Sequence, residues 1–111
     1  MKKLFGIGNT RRRVQQFPKQ TRCKAGDELY LVQIGAQPTD WRPMPTIGPG
    51  AIEIRIHQPH EHRIIYVATY PEGIYVIHAF EKKTRQTPQR ELDIARANYG
   101  DIQQQRQKEN K

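Results

Sequence analysis

Apolar residues recur along this chain in two rhythms. In the first third, Ala25, Leu29 and Val32 fall at spacings of four and three, which puts them on one face of a helix. Pro18 suits the opening turn and Gly35 the stop, so the pattern predicts a helix from Lys19 to Gln33. Gly26 weakens it slightly. Upstream, Asn9 and Thr10 are good capping residues for a short helix from Arg11 to Gln16. Val14 and Phe17 then join Leu29 and Val32 as the inner stripe of a basic helical hairpin. Residues 36–50 read as a loop, broken by Pro38, Pro43, Pro45 and Pro49 with Gly48 and Gly50.

Past residue 50 the rhythm changes to two. Ile52, Ile54 and Ile56 take one face of a strand over Ala51–His57, and Glu53, Arg55 and His57 the other. Gln58 to Glu61 turn the chain into a second strand, His62–Ala68. Pro71-Glu72-Gly73 turn it again into a third, Ile74–Phe80. Such short turns predict an antiparallel meander. Thr87 and Pro88 open a last helix that runs to about Tyr99, before Gly100, with Leu92, Ala95 and Tyr99 on one face. The polar tail from Gln103 is expected to fray. The elements predict an α+β fold of two N-terminal helices and a C-terminal helix, gathered on one face of a small antiparallel sheet. One domain spans residues 1–111, with 1–8 and 103–111 as flexible ends.

Composition narrows the function. Of 19 Lys and Arg, eight lie in residues 1–24, where there is no acid; the formal net charge is +8. The excess therefore sits at the N-terminal end, where nucleic acid, an acidic protein or an anionic membrane would each fit, as would a merely solvated helix face. Cys23 is the one cysteine, so no internal disulfide is available. No apolar run approaches a membrane span, and the apolar stretch after Lys2 and Lys3 is too short for a signal peptide, so the expectation is a cytoplasmic protein.

Most catalytic chemistries find no footing. His57, His60 and His62 cluster, but zinc usually takes four ligands, and only His78 and the local Glu61 could join them; no metal is expected. Cys23 has basic neighbours but no motif, and reads as a small apolar helix position. Gly6-Ile7-Gly8 lacks the strand, glycine and lysine of a phosphate loop. The sheet says more. By parity one face could gather Arg55, His57, Arg63, His78 and Lys82, with Lys83 and Arg85 at its edge. Cations beside a histidine and an aromatic suit RNA binding. They also suit cleavage, because the 2′-OH can attack its own phosphate once it is positioned, the charge is stabilised and protons are moved. The same residues would equally serve as a soluble strand face with a buried histidine.

The stretches Arg63-Ile64-Ile65-Tyr66-Val67, Ile74-Tyr75-Val76-Ile77-His78-Ala79-Phe80-Glu81-Lys82-Lys83-Thr84 and Thr87-Pro88-Gln89-Arg90-Glu91-Leu92 resemble the RelE/HigB-like toxin superfamily, and within it the phage-derived branch. Phe17-Pro18, Leu29–Gly35, Asp40-Trp41-Arg42-Pro43-Met44-Pro45 and Ile47–Gly50 agree, so the likeness covers roughly residues 5–100. The resemblance implies a RelE-like fold and the toxin of a type II toxin–antitoxin pair, a ribosome-dependent mRNA endonuclease that uses no metal or cofactor. It implies Arg55, Arg63 and Lys82 (or Lys83) as the basic positions around the phosphate. His78 is the added candidate acid or base. His57, Lys83, Arg85 and the block Arg11, Arg12, Arg13 are candidate RNA contacts. The implied partners are a helix-turn-helix antitoxin, the ribosome and its message, and no membrane. Glu53 stands where a second cation often sits in better-known members, and Tyr99 is the only tyrosine of the C-terminal region. The alternative is a RelE-like module of phage origin that binds RNA or protein without cutting.

Overall fold

A computed structural model describes residues 1–109. The elements in chain order are β1 (Leu4–Gly6), α1 (Thr10–Gln15), α2 (Lys19–Gln33), β2 (Trp41–Pro43), β3 (Ala51–Ile56), β4 (His62–Tyr70), β5 (Gly73–Glu81) and α3 (Gln89–Glu109). The fold is α+β, with one sheet of order β1-β5-β4-β3-β2.

The meander β3–β4–β5 follows the period-two pattern, with Arg55 opposite Arg63 and Arg63 opposite Phe80. Two further strands lay outside the sequence reading. Leu4–Gly6 pairs parallel with Ile74–Val76, so the sheet is mixed rather than antiparallel. Trp41–Pro43 pairs antiparallel with Ile52–Ile54 at the other edge, inside what the prolines suggested was loop. The N-terminus is held as well. The Lys2 amide donates to the Gln33 carbonyl at 3.1 Å, and the Gln33 side chain donates to the Lys2 carbonyl at 2.8 Å.

The helices do not share one face. Phe17, Ala25, Leu29 and Val32 pack against Ile54, Ile56, Ile64, Tyr66, Ile74, Val76 and Ala79. Ala95, Tyr99 and Ile102 of α3 pack with Met44, Ile47, Ile65, Val67, Ile77 and Phe80. The sheet is therefore sandwiched, with α1 and α2 on one side and α3 on the other. A strand whose side chains alternate between two apolar cores reads as a nearly unbroken hydrophobic run, and β4 does so over Ile64–Val67.

One irregularity changes which residues share a face. His78 pairs with Ile65 but Val76 pairs with Tyr66, so Ile77 is an extra residue, a β-bulge. Ile77 lies in the α3-side core while Ala79 lies in the α1/α2-side core. Strict alternation had put Ile77 and Ala79 together.

The last helix runs through Gly100, where a methyl group would meet nothing within 4 Å. A glycine costs a helix interior only about 1 kcal/mol. Beyond it Ile102 extends the buried stripe, and the Arg106 guanidinium lies 4.1 Å over the Tyr70 ring and pairs with Glu72. That pairing, with the Tyr75 hydroxyl donating to the same carboxylate, holds the Glu72 carboxyl down at about 2. The tail expected to fray is thus helical through Glu109; residues 110 and 111 lie outside the described residues.

Candidate functional site

Alternation along β3 sends its isoleucines to α2 and sends Glu53 and Arg55 to the opposite face, where β4 places Arg63. The α3 helix covers that face over β4 and β5 and leaves the β2 end open. There Arg42, opposite Glu53 in the ladder, brings its Nε to 3.2 Å from Glu53 Oε1. Arg63 Nε lies 3.7 Å from the same oxygen. Glu53 and Arg63 are only 1% and 3% exposed, so this ion pair is out of water, while Arg42 is exposed.

Buried polar atoms are normally paired. Here Glu53 Oε2, Arg55 Nε and Arg63 Nε are buried and have no hydrogen-bond partner. They come from adjacent positions on β3 and β4. The patch therefore offers one free acceptor beside two free donors.

Next to it runs an open groove of about 510 Å³. Arg42, Pro43, Met44, Pro45 and Thr46 form one wall, and Lys82, Arg85, Gln86, Thr87 and Leu92 the other. The Lys82 amide donates to the Glu61 carbonyl at 2.8 Å, which carries the β4–β5 ladder one step further and sets Lys82 at the groove. The Arg42 wall is fixed from beneath. Buried Glu28 of α2 accepts from the Thr39 amide at 2.6 Å and from its hydroxyl at 2.7 Å, anchoring the chain just before β2.

A run of ion pairs leads out of the patch. Arg63 donates to Glu61 Oε1 at 2.9 Å, Glu61 meets His57 Nδ1 at 2.9 Å, and His57 Nε2 lies 2.5 Å from Asp40 Oδ2. The hydrogen bond to Asp40, then that to Glu61, raises the His57 pKa above its ordinary value. Burial lowers that of His78, with Glu91 at 3.0 Å only partly offsetting it. The two histidines should therefore titrate on opposite sides of about 6.5. His57 stabilises the fold in its charged form, an effect full below 6.5 and lost as pH rises through its raised pKa. His78 must be neutral, so its contribution is full above 6.5 and lost as pH falls through its lowered pKa. A pH series of imidazole NMR signals checks both; two midpoints at the free value would contradict the assignment.

Of the residues singled out from sequence, Arg55 and Arg63 meet in the β3–β4 ladder, Lys82 and Arg85 line the groove, and Lys83 lies exposed on the same corner. His57 lies in a cleft against α2 with Gln20, Lys24 and Asp27, and Arg55 lines the same cleft. The His78 ring has no exposed surface and stacks on Phe80 at 5.2 Å. Arg11, Arg12 and Arg13 sit on α1, in the layer across the sheet; Arg13 donates to Asn9. The three clustered histidines do not converge. His62 is buried against Phe17 at 4.5 Å, His60 is exposed, and among the described residues no group of three or more His, Cys, Asp or Glu could hold a metal ion. Cys23, read as an apolar helix position, is exposed.

Sequence reasoning passed over Arg42 as a site residue and treated Glu53 as an anomaly. The missing signal was the strand at 41–43. Once that strand is drawn beside β3, Arg42 falls opposite Glu53 and the carboxylate becomes the centre of the arginines.

In comparisons with known proteins, a family model described as phage-derived protein Gp49-like (DUF891) matches residues 12–100. No curated protein matches the chain.

Proposed function

This chain belongs to the Gp49-like family of phage-derived proteins, and on that premise we propose that it is the toxin of a type II toxin–antitoxin pair, an endoribonuclease that cuts messenger RNA on the ribosome. The observation that carries this reading is the patch of unpaired buried atoms, Glu53 Oε2, Arg55 Nε and Arg63 Nε, joined to the cationic groove through Arg42, which pairs with Glu53 and lines the groove. RNA supplies the matching groups, a 2′-OH that donates and a phosphate that accepts.

In the proposed reaction Glu53 Oε2 takes the proton of the 2′-OH. The 2′-oxygen attacks the adjacent phosphorus, the bond to the 5′-oxygen breaks, and a cyclic phosphate and a 5′-hydroxyl remain once that oxygen has gained a proton. Arg42, Arg55 and Lys82 neutralise the phosphate as negative charge builds on it. Arg63, held by Glu53 and Glu61, fixes the orientation of the carboxylate. We place the proton acceptor at Glu53 rather than His78 because Glu53 is paired with Arg42, which lines the groove, whereas the His78 ring is held under α3 by Glu91. Lys83 and Arg85 extend the cationic surface along the message. Arg11 and Arg12, exposed on the other layer, are left for the ribosome or for an antitoxin of helix-turn-helix type.

Induction of the chain alone in a bacterial host tests the reading. Growth should stop, and new 5′ ends should appear inside translated messages and vanish when translation is blocked. Lys82→Ala, changing a half-exposed side chain, should restore growth at equal protein level. Soluble, folded protein that neither arrests growth nor cuts RNA would leave a binding module without nuclease activity.

A further inference from the structure

We infer that Trp41 is a base-stacking subsite, which takes up a nucleobase of the strand whose phosphate lies at Arg42. The inference rests on the RNA reading above and adds to it a residue that selects and holds a base.

Trp41 is the only tryptophan of the chain and is 37% exposed. It belongs to β2, an edge strand with no neighbour on its outer side. Opposite Ile54 in the ladder, it lies on the α2 side of the sheet, while Arg42, opposite Glu53, lies on the groove side. Successive residues thus hold a cation on one side of the sheet rim and an indole on the other. The backbone has the same sidedness. The Asp40 carbonyl accepts from the Arg55 amide at 2.9 Å and the Met44 amide donates to the Ala51 carbonyl at 2.8 Å, so the even positions face β3. The Trp41 amide and carbonyl therefore point outward, free to bond the edge of a base. Pro43 has no N–H to offer, which blunts this edge against pairing with another strand.

Exposed large apolar side chains are few among the described residues. Met1, Leu4, Tyr30 and Ile34 belong to the N-terminal end and α2; Trp41 alone lies on β2, next in the chain to the groove residue Arg42. Its position is set, because the Glu28–Thr39 bonds fix the segment that carries it. A rigid indole beside a phosphate-binding arginine matches single-stranded nucleic acid, whose bases stack on aromatic faces while cations follow the backbone.

The single tryptophan makes the test direct. The wild-type chain is titrated with a 2′-O-methyl RNA of about 12 nucleotides, which it cannot cut, while tryptophan emission and the anisotropy of a dye on the RNA are followed together. Emission should be quenched in step with binding. Trp41→Ala, checked for folding by circular dichroism, should weaken binding by roughly 5- to 100-fold, and Trp41→Phe should recover most of that loss. Binding without quenching, or an equally weak Trp41→Phe, would overturn the stacking subsite and leave the RNA reading standing. Emission that follows protein concentration rather than RNA would make the edge a contact between copies of the chain, again overturning it. Failure of the wild-type chain to bind would overturn the subsite, while induction in a bacterial host still tests the cleavage reading by itself.

Discussion

Changing Glu53 to glutamine should slow RNA cleavage by about 10²- to 10⁴-fold while the protein stays folded. The substitution keeps the side-chain shape and an oxygen toward Arg42 and Arg63, whose nitrogens lie 3.2 and 3.7 Å from Glu53 Oε1. It removes the ability of the second oxygen to accept a proton. Arg63 retains Glu61 as a counter-ion at 2.9 Å, so its charge is not left bare. The loss should fall on kcat rather than KM, because the phosphate-binding cations are untouched. Single-turnover cleavage of a message on purified translating ribosomes measures it. A change within about threefold would move the proton transfer away from Glu53.

The second large effect is on stability. Arg63→Ala should cost about 3 kcal/mol, because it leaves Glu53, which is 1% exposed, short of its buried partner. Arg42 still reaches that carboxylate from the surface, which keeps the cost at the lower end of the range for broken buried pairs. For a chain of this size the loss corresponds to a melting temperature lower by roughly 10–25 °C. Replacing both partners, Glu53→Met with Arg63→Met, should recover most of the stability and none of the cleavage, since an apolar pair of similar volume needs no counter-charge. Thermal unfolding of the three proteins separates the cases. An unchanged melting point for Arg63→Ala would show that its guanidinium contributes nothing to the fold.

Much of this architecture is legible in the residues, and the gaps have physical causes. The α2 helix reads directly because a buried stripe and an end signal at Gly35, which has φ +85°, agree with each other. The β3–β5 meander reads from its isoleucines and its turns. The edge strands do not, because three residues cannot show a period; β1 and β2 exist through their partners, Ile74–Val76 and Ile52–Ile54. The two-sided sheet is hidden for a related reason. In β4 both faces are apolar, and the order of elements does not say on which side a later helix lands. The bulge at Ile77 moves side chains between faces without any glycine or proline to announce it. At the site, parity brings Arg55 and Arg63 together. Arg42 needs a strand that its prolines disguise, and the burial of His78 needs the α3 helix on the far face.

The parallel pairing of β1 also sets an order of events. Leu4–Gly6 leaves the ribosome before the other strands yet bonds to Ile74–Val76, 70 residues later. At synthesis rates of about 5–20 residues per second that partner is made roughly 4–14 seconds afterwards. Closing so long a loop gives nothing back until β5 lies in the meander. The first strand of the sheet to be made thus waits for the last, and the α1/α2-side core beside it, with Val14 and Leu29, stays uncovered on a nascent chain whose groove side is still being built. Maturation of the sheet is therefore timed by the 70 residues between these two strands, and for some seconds each molecule carries a basic, apolar arm waiting for its partner.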